Sequence, residues 1–180
     1  MELKNGINSY GLVSRANHWI SALLFIGLIA LGIYMGDLPK GPEKLELYNL
    51  HKSLGIGLLA LMVLRLIWLK VSPNPSQISY SKFEHILGHA VKGILYLAML
   101  MMPISGWIMS NSGGHEVAFF DLFVLPTIVG ENEMLHEIAE EIHEIGGYAM
   151  IAVIALHIAG ALKHHIVYKD ETLKRMLGKK

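Results

Sequence analysis

Along the chain, long apolar runs alternate with short polar or turn-rich segments. Trp19 to Met35, Ser53 to Leu69, Gly93 to Ser112 and Ile145 to Leu162 carry almost no charge, and Arg65 is the one strong interruption. Each run comes close to the roughly 20 residues that a helix needs to cross a bilayer. The breaks between them are equally marked. "GDLPKGP" (Gly36 to Pro42) is turn chemistry, and the two prolines of "SPNPSQISYS" (Ser72 to Ser81) bar helix continuation. The longest connection, from about Gly113 to Glu133, holds "FFDLFVLP", apolar enough to lie in the membrane interface. The following "ENEMLHEIAEEIHE" reads as a helix that starts in water and enters the bilayer. The pattern predicts an all-α fold, a four-helix transmembrane bundle. It forms one domain over residues 1–180, with spans at about 15–36, 49–71, 84–111 and 134–167. Pro103 removes a backbone donor at mid-depth in the third span and is expected to bend it, as a tolerated kink or to make room for a cofactor.

Composition removes the soluble alternative. The chain is 53% hydrophobic and 17% charged, with a mean hydropathy of +0.44, and 180 residues cannot wrap four such helices in polar surface. The net charge of zero conceals a polarised molecule. With the N-terminus inside, twelve of the fifteen cations fall on the inner side, leaving only Lys40, Lys44 and Lys52 outside, where eleven of the fifteen acids lie. Cations near span ends are retained in the cytoplasm, so both termini are expected there. No small-residue cleavage site precedes the second span, so the first is expected to remain as an anchor. With no cysteine there is neither a thiolate ligand nor iron–sulfur ligation. A redox cofactor must be held by other atoms, and histidine is the obvious donor.

Ionisable groups inside spans are costly and usually face the bundle interior. His18 opens the first span at the inner face, and His157 lies near the inner end of the fourth. His51 opens the second span at the outer face, and His143 opens the fourth there. Fourteen residues separate His143 from His157, a climb of about 21 Å with a rotation about 40° short of four full turns. One face of the fourth span therefore presents an imidazole near each side of the membrane. A flat iron macrocycle needs two axial donors at one depth, and neutral imidazole suits haem. Two levels imply two stacked haems. Gly55, Gly147 and Gly160 follow His51, His143 and His157 by three or four residues. They leave the same helix faces bare for a porphyrin edge. For the haem propionates, Arg15 and Lys163 suit the inner level, with Arg65 more distant, and Lys52 suits the outer one.

Other histidines carry weaker signals. His85 and His89 are spaced i, i+4, and His89 is deep enough to rival His18. His136, Glu140 and Glu144 share a face that reads as wet and acidic, with a divalent-ion site as the alternative. His164 and His165 lie in a basic exit, and His115 sits in the outer loop.

The motifs "SRANHWISA", "LHKSLGIGLL", "GHAVKGILYL", "ISGWIM" and "ALHIAGALKHH" followed by "KDETLKRM" make nearly the whole chain resemble the bacterial cytochrome b-561 family. These are four-helix inner-membrane haem proteins related to the cytochrome b subunits of hydrogenases and formate dehydrogenases. The resemblance implies that His18 and His157 ligate one non-covalent haem b and His51 and His143 a second. It also implies a multi-pass protein of the bacterial inner membrane. The expected function is electron transfer between the quinone pool and a periplasmic donor or acceptor. Expected partners are membrane lipid, quinone, a periplasmic redox protein or larger oxidoreductase complex, and a second copy in a homodimer, with no nucleic acid. Some family members are linked to superoxide oxidation with ubiquinone as electron acceptor, a quinone-linked oxidoreductase activity. Here the acidic outer face opposes steering of an anion. A cofactor-free transporter relaying protons through histidines predicts acids at mid-depth, and none occur. A passive anchor subunit would bind haem without activity of its own.

Overall fold

The computed structural model describes residues 2–178 except Gln77 and Ser79. Lys179 and Lys180 of the inner cation count, and those two positions of the 72–81 break, lie outside the described residues. Four helices dominate: α1 (Leu12–Asp37), α2 (Pro42–Val71), α3 (Lys82–Ser112) and α4 (Glu133–Lys163). All four helical segments are long and apolar enough to cross a membrane. They run up and down in sequence, so α1 begins and α4 ends at one end of the bundle, the terminal end.

Local chemistry sets the helix limits. Pro42 takes the first position of α2, where its missing N–H costs nothing, so the helix begins at the last residue of the predicted turn. Lys44 bridges that turn, donating to the carbonyls of Gly36 (3.0 Å) and Leu38 (2.9 Å) at the end of α1. The Ser81 hydroxyl caps α3 by accepting from Glu84 N–H (3.1 Å), and Asn132 Oδ1 caps α4 by accepting from Leu135 N–H (2.9 Å). Pro103 is buried inside α3, which continues through it.

The "FFDLFVLP" segment does more than lie flat. Ala118–Phe119 (β1) and Phe123–Val124 (β2) pair antiparallel, with Ala118 opposite Val124. Phe120 (φ 46°) and Asp121 (φ 57°) turn the chain in the left-handed region. Asp121 tolerates this region but Phe120 does not favour it, and no Asn-Gly signal marks the turn in the sequence. Its hold is tertiary. The buried Ser53 hydroxyl on α2 donates to Ala118 O (3.1 Å) and accepts from Phe120 N–H (3.0 Å). The ribbon thus closes the far end of the bundle, the hairpin end.

At the terminal end the chain passes from α4 through a π-helical turn, His164–Tyr168, into a short α5 (Thr172–Leu177). Trp19 Nε1 on α1 donates to Met176 O (3.1 Å), and His164 Nδ1 lies 2.6 Å from Asp170 Oδ2. Burial pushes the Asp170 carboxyl up, but its bonds with His164 and Thr172 outweigh that and hold it below its ordinary value.

Mid-bundle, Phe25, Leu28, Leu58, Met62, Ala98, Met99 and Met150 form one buried cluster. α3 and α4 make the broadest helix contact, followed by α1 with α2 and α2 with α3, whereas α4 meets α1 only narrowly. The fourth helix is therefore carried by α3 and stands off from the α1–α2 pair. Ser53→Ala removes both side-chain bonds to the hairpin and leaves the half-buried Ala118 carbonyl without this donor. We expect a loss of about 1–3 kcal/mol, read as a lower thermal midpoint in detergent, with early protease cleavage near Phe120.

Candidate functional site

Two imidazole pairs bridge α4 and its neighbours α1 and α2. His18 on α1 faces His157 on α4 with ring centroids 6.2 Å apart, and His51 on α2 faces His143 on α4 at 6.1 Å. All four rings are half-buried. The first pair lies at the terminal end and the second at the hairpin end, with the apolar cluster between them. Two nitrogens sharing one metal at about 2.0–2.1 Å each, with ring centres about 1.1 Å behind them, give a centroid separation of about 6.3 Å. Both pairs have that spacing. Among the described residues no group of three or more histidines, acids or cysteines comes together. Each pair can therefore offer two donors on opposite sides, and the remaining ligands of a metal would have to come from a group that brings its own, such as a planar macrocycle.

The space around the rings agrees with that requirement. A side chain added at Gly55 or Gly160 would meet nothing within 4 Å, and one at Gly147 would touch only Met102 Cε at 3.8 Å. These faces are bare. Two further glycines play the opposite part: a Cβ at Gly32 would meet His51 Cε1 at 3.4 Å, and one at Gly106 would meet His143 Cε1 at 3.1 Å. They hold the rings edge-on, and their places on partner helices hid them from a reading based on spacing from each histidine.

Ser105 is the other residue that spacing missed. Its hydroxyl lies 3.0 Å from His143 Nδ1 and donates to Met102 O at 2.9 Å. His51 Nδ1, by contrast, is buried with no hydrogen-bond partner among the described residues.

The charged residues distribute unevenly. Lys163 pairs with Glu84 (2.6 Å), which also accepts from Tyr168, and Lys52 donates to Glu116 O (2.9 Å). Arg15 packs against Gly178 and α5, and its Nε is buried without a partner among the described residues. Arg65, placed over the Tyr96 ring at 5.0 Å, is a charged neighbour of both His18 and His157. Lys92 is a charged neighbour of His157. The α3–α4 register, set by Gly106 beside His143 and Gly113 beside His136, puts Lys92 level with His157. Neither Arg65 nor Lys92 has an acid partner among the described residues.

The remaining histidines stay apart from both pairs. His89 is exposed and bonded to His85 O (2.8 Å), so it does not compete with His18. His136 Nδ1 bonds Met109 O at 2.8 Å and leaves its acidic neighbours without a common centre. His164 is tied to Asp170, while His165 and His115 are exposed.

Fold and site together define a class: a polytopic four-helix membrane protein with two facing histidine pairs, one toward each end of the bundle. The sequence model of the family described as prokaryotic cytochrome b561 matches residues 9–179. The chain is 35% identical to cytochrome b561 homolog 2 of Escherichia coli (strain K12), over 99% of this chain and 96% of that protein. It is 29% identical to cytochrome b561 homolog 1 of the same strain, over 89% and 92%. It is also 30% identical to a protein of Yersinia pestis named probable superoxide oxidase CybB, over 95% and 97%. This chain belongs to the prokaryotic cytochrome b561 family, multi-pass membrane proteins of electron transfer, and membership implies haem b.

Gly106→Ala places a methyl against the His143 ring, and the overpacking costs about 1–3 kcal/mol. The expected result is a protein that retains less haem per chain after detergent purification than the wild type, measured by the pyridine haemochromogen assay. Gly36→Ala, where a side chain meets nothing within 4 Å, is the control and should match the wild type.

Proposed function

We propose that the chain is a di-haem b cytochrome that carries single electrons across the cytoplasmic membrane. In this reading it connects the quinone pool with a donor or acceptor at the outer face, and both termini are cytoplasmic. The observation that carries the reading is the pair of imidazole seats, 6.2 and 6.1 Å across, toward opposite ends of one bundle. Bound haem supplies a reversible one-electron centre at each seat.

The protein's own residues do the rest. His18 with His157, and His51 with His143, would hold one haem each through their imidazole nitrogens, and with both imidazoles of a pair engaged the site would pass electrons rather than bind a small ligand. Gly55, Gly147 and Gly160 keep the helix faces clear for that edge. At the terminal end Arg65 and Lys92 are the cations disposed to hold carboxylates, with Arg15 nearer the surface. Lys163 is engaged by Glu84, and Lys52 at the hairpin end has part of its donor capacity spent on the loop. Between the seats, Met62, Leu58, Phe25 and Met150 exclude water, so this layer offers protons no path beside the electron. The seats are about 21 Å apart along α4.

The similarity to the Yersinia protein named probable superoxide oxidase favours a second reading, in which superoxide is the outer donor and ubiquinone the acceptor. The charge of the hairpin end argues against it, because eleven acids lie on that side and a negative rim repels an anion. A cationic redox protein or a neutral donor suits that rim better.

His51→Ala or His143→Ala should halve the haem per chain and leave the terminal-end centre intact, seen as loss of one component in the reduced-minus-oxidised spectrum. Wild-type protein mixed with a reduced quinone should show haem reduction. Retention of both components in both variants would remove these histidines from the ligand set. Failure of quinone to reduce a fully loaded protein would leave the passive-anchor reading.

A further inference from the structure

The two imidazoles of the hairpin-end seat are held differently. Ser105 is 5% exposed, and its single hydroxyl proton goes to Met102 O at 2.9 Å. Toward His143 Nδ1, 3.0 Å away, the oxygen can then only accept. With the hydroxyl proton so engaged, Nδ1 carries the ring proton, facing the Ser105 oxygen and the Met102 carbonyl, and Nε2 is left with its lone pair. Gly106 packs on Cε1 of the same ring and keeps it in that orientation. Across the seat, His51 Nδ1 is buried and has no partner among the described residues. The seat therefore pairs one imidazole polarised by a buried acceptor with one that is not.

We propose that Ser105 is a positioning residue for the hairpin-end haem: by accepting from His143 Nδ1–H it fixes the tautomer and strengthens the ligand's electron donation, lowering the reduction potential of that centre alone. This rests on the two-haem reading above. The direction follows from charge. A hydrogen bond at Nδ1 gives the ring imidazolate character, which stabilises the oxidised, more positive iron over the reduced form. Only this centre should respond, because the hydroxyl touches one of the four rings. Ser105 thus offers a lever by which the potential difference between the two levels, and with it the preferred direction of electron flow, can be set without changing a ligand.

The test is a spectroelectrochemical titration of the intact, haem-loaded protein in detergent, with haem per chain measured alongside. In Ser105→Ala both haems should remain. The oxidised-to-reduced ratio of one component at fixed poise should fall about three- to tenfold, a rise of ~30–60 mV at 59 mV per decade for a one-electron couple. The other component should not move, and Ser105→Thr should restore the wild-type value. The low-spin electron paramagnetic resonance signal of the same centre should shift in the alanine variant and return in the threonine variant. Should the alanine variant lose haem, Ser105→Cys keeps the volume with a weaker acceptor and should show the same upward shift. Two retained haems with unchanged potentials in the alanine or cysteine variant would overturn the proposal while leaving the two-haem reading intact. Wild-type protein that binds fewer than two haems would instead sink the underlying reading.

Discussion

The structure depends on α4 being held close by α3 while it stands off from α1 and α2. Close packing of all four helices would be the default for apolar segments in lipid, where small residues let backbones approach and dispersion rewards contact. Here two facing imidazole pairs, 6.1 and 6.2 Å apart, mark the slot that remains. In a medium without water, half-buried polar rings are costly unless their nitrogens are engaged, and facing them in pairs lets one partner engage two rings at once.

That constraint explains why the glycines divide into two kinds. Gly55, Gly147 and Gly160 lie beside the histidine-bearing turns and leave open faces there. Gly32 and Gly106 lie opposite, tight against the rings of His51 and His143, and their lack of a side chain concerns the aim of the imidazoles. Ser105 adds direction at one ring only. Small residues in this bundle thus act on the placement of the imidazole rings as much as on helix packing.

Electrostatics follows the same axis. Arg65 and Lys92, half-buried and without acid partners among the described residues, cluster with the His18–His157 pair. The hairpin end gathers the acids. A charge in a span needs a counter-charge or water, and two cations without acid partners among the described residues give that end a local preference for carboxylates. The acidic end carries no such preference and presents its charge to whatever meets the protein from that side.

Much of this was legible in the order of residues. Span number and type followed from hydropathy, because a bilayer imposes helix length and apolarity on each segment independently. The common depth of His18 with His157 and of His51 with His143 followed from helix rise and alternating direction. What the sequence could not specify was everything that depends on which helices touch. The hairpin turn at Phe120–Asp121 is held by Ser53, more than sixty residues away, and no local signal announces it. Lys92 reaches the level of His157 only through the α3–α4 register, and Ser105 meets His143 only across that interface. The sequence by itself determined how many spans there are and at what depth each chemical group lies, because those are one-dimensional consequences of length and periodicity. The tertiary structure alone decided which rings face each other, which cations lie beside them and which imidazole has a hydrogen-bonding neighbour, because these are set by the lateral packing of helices that are remote in the chain.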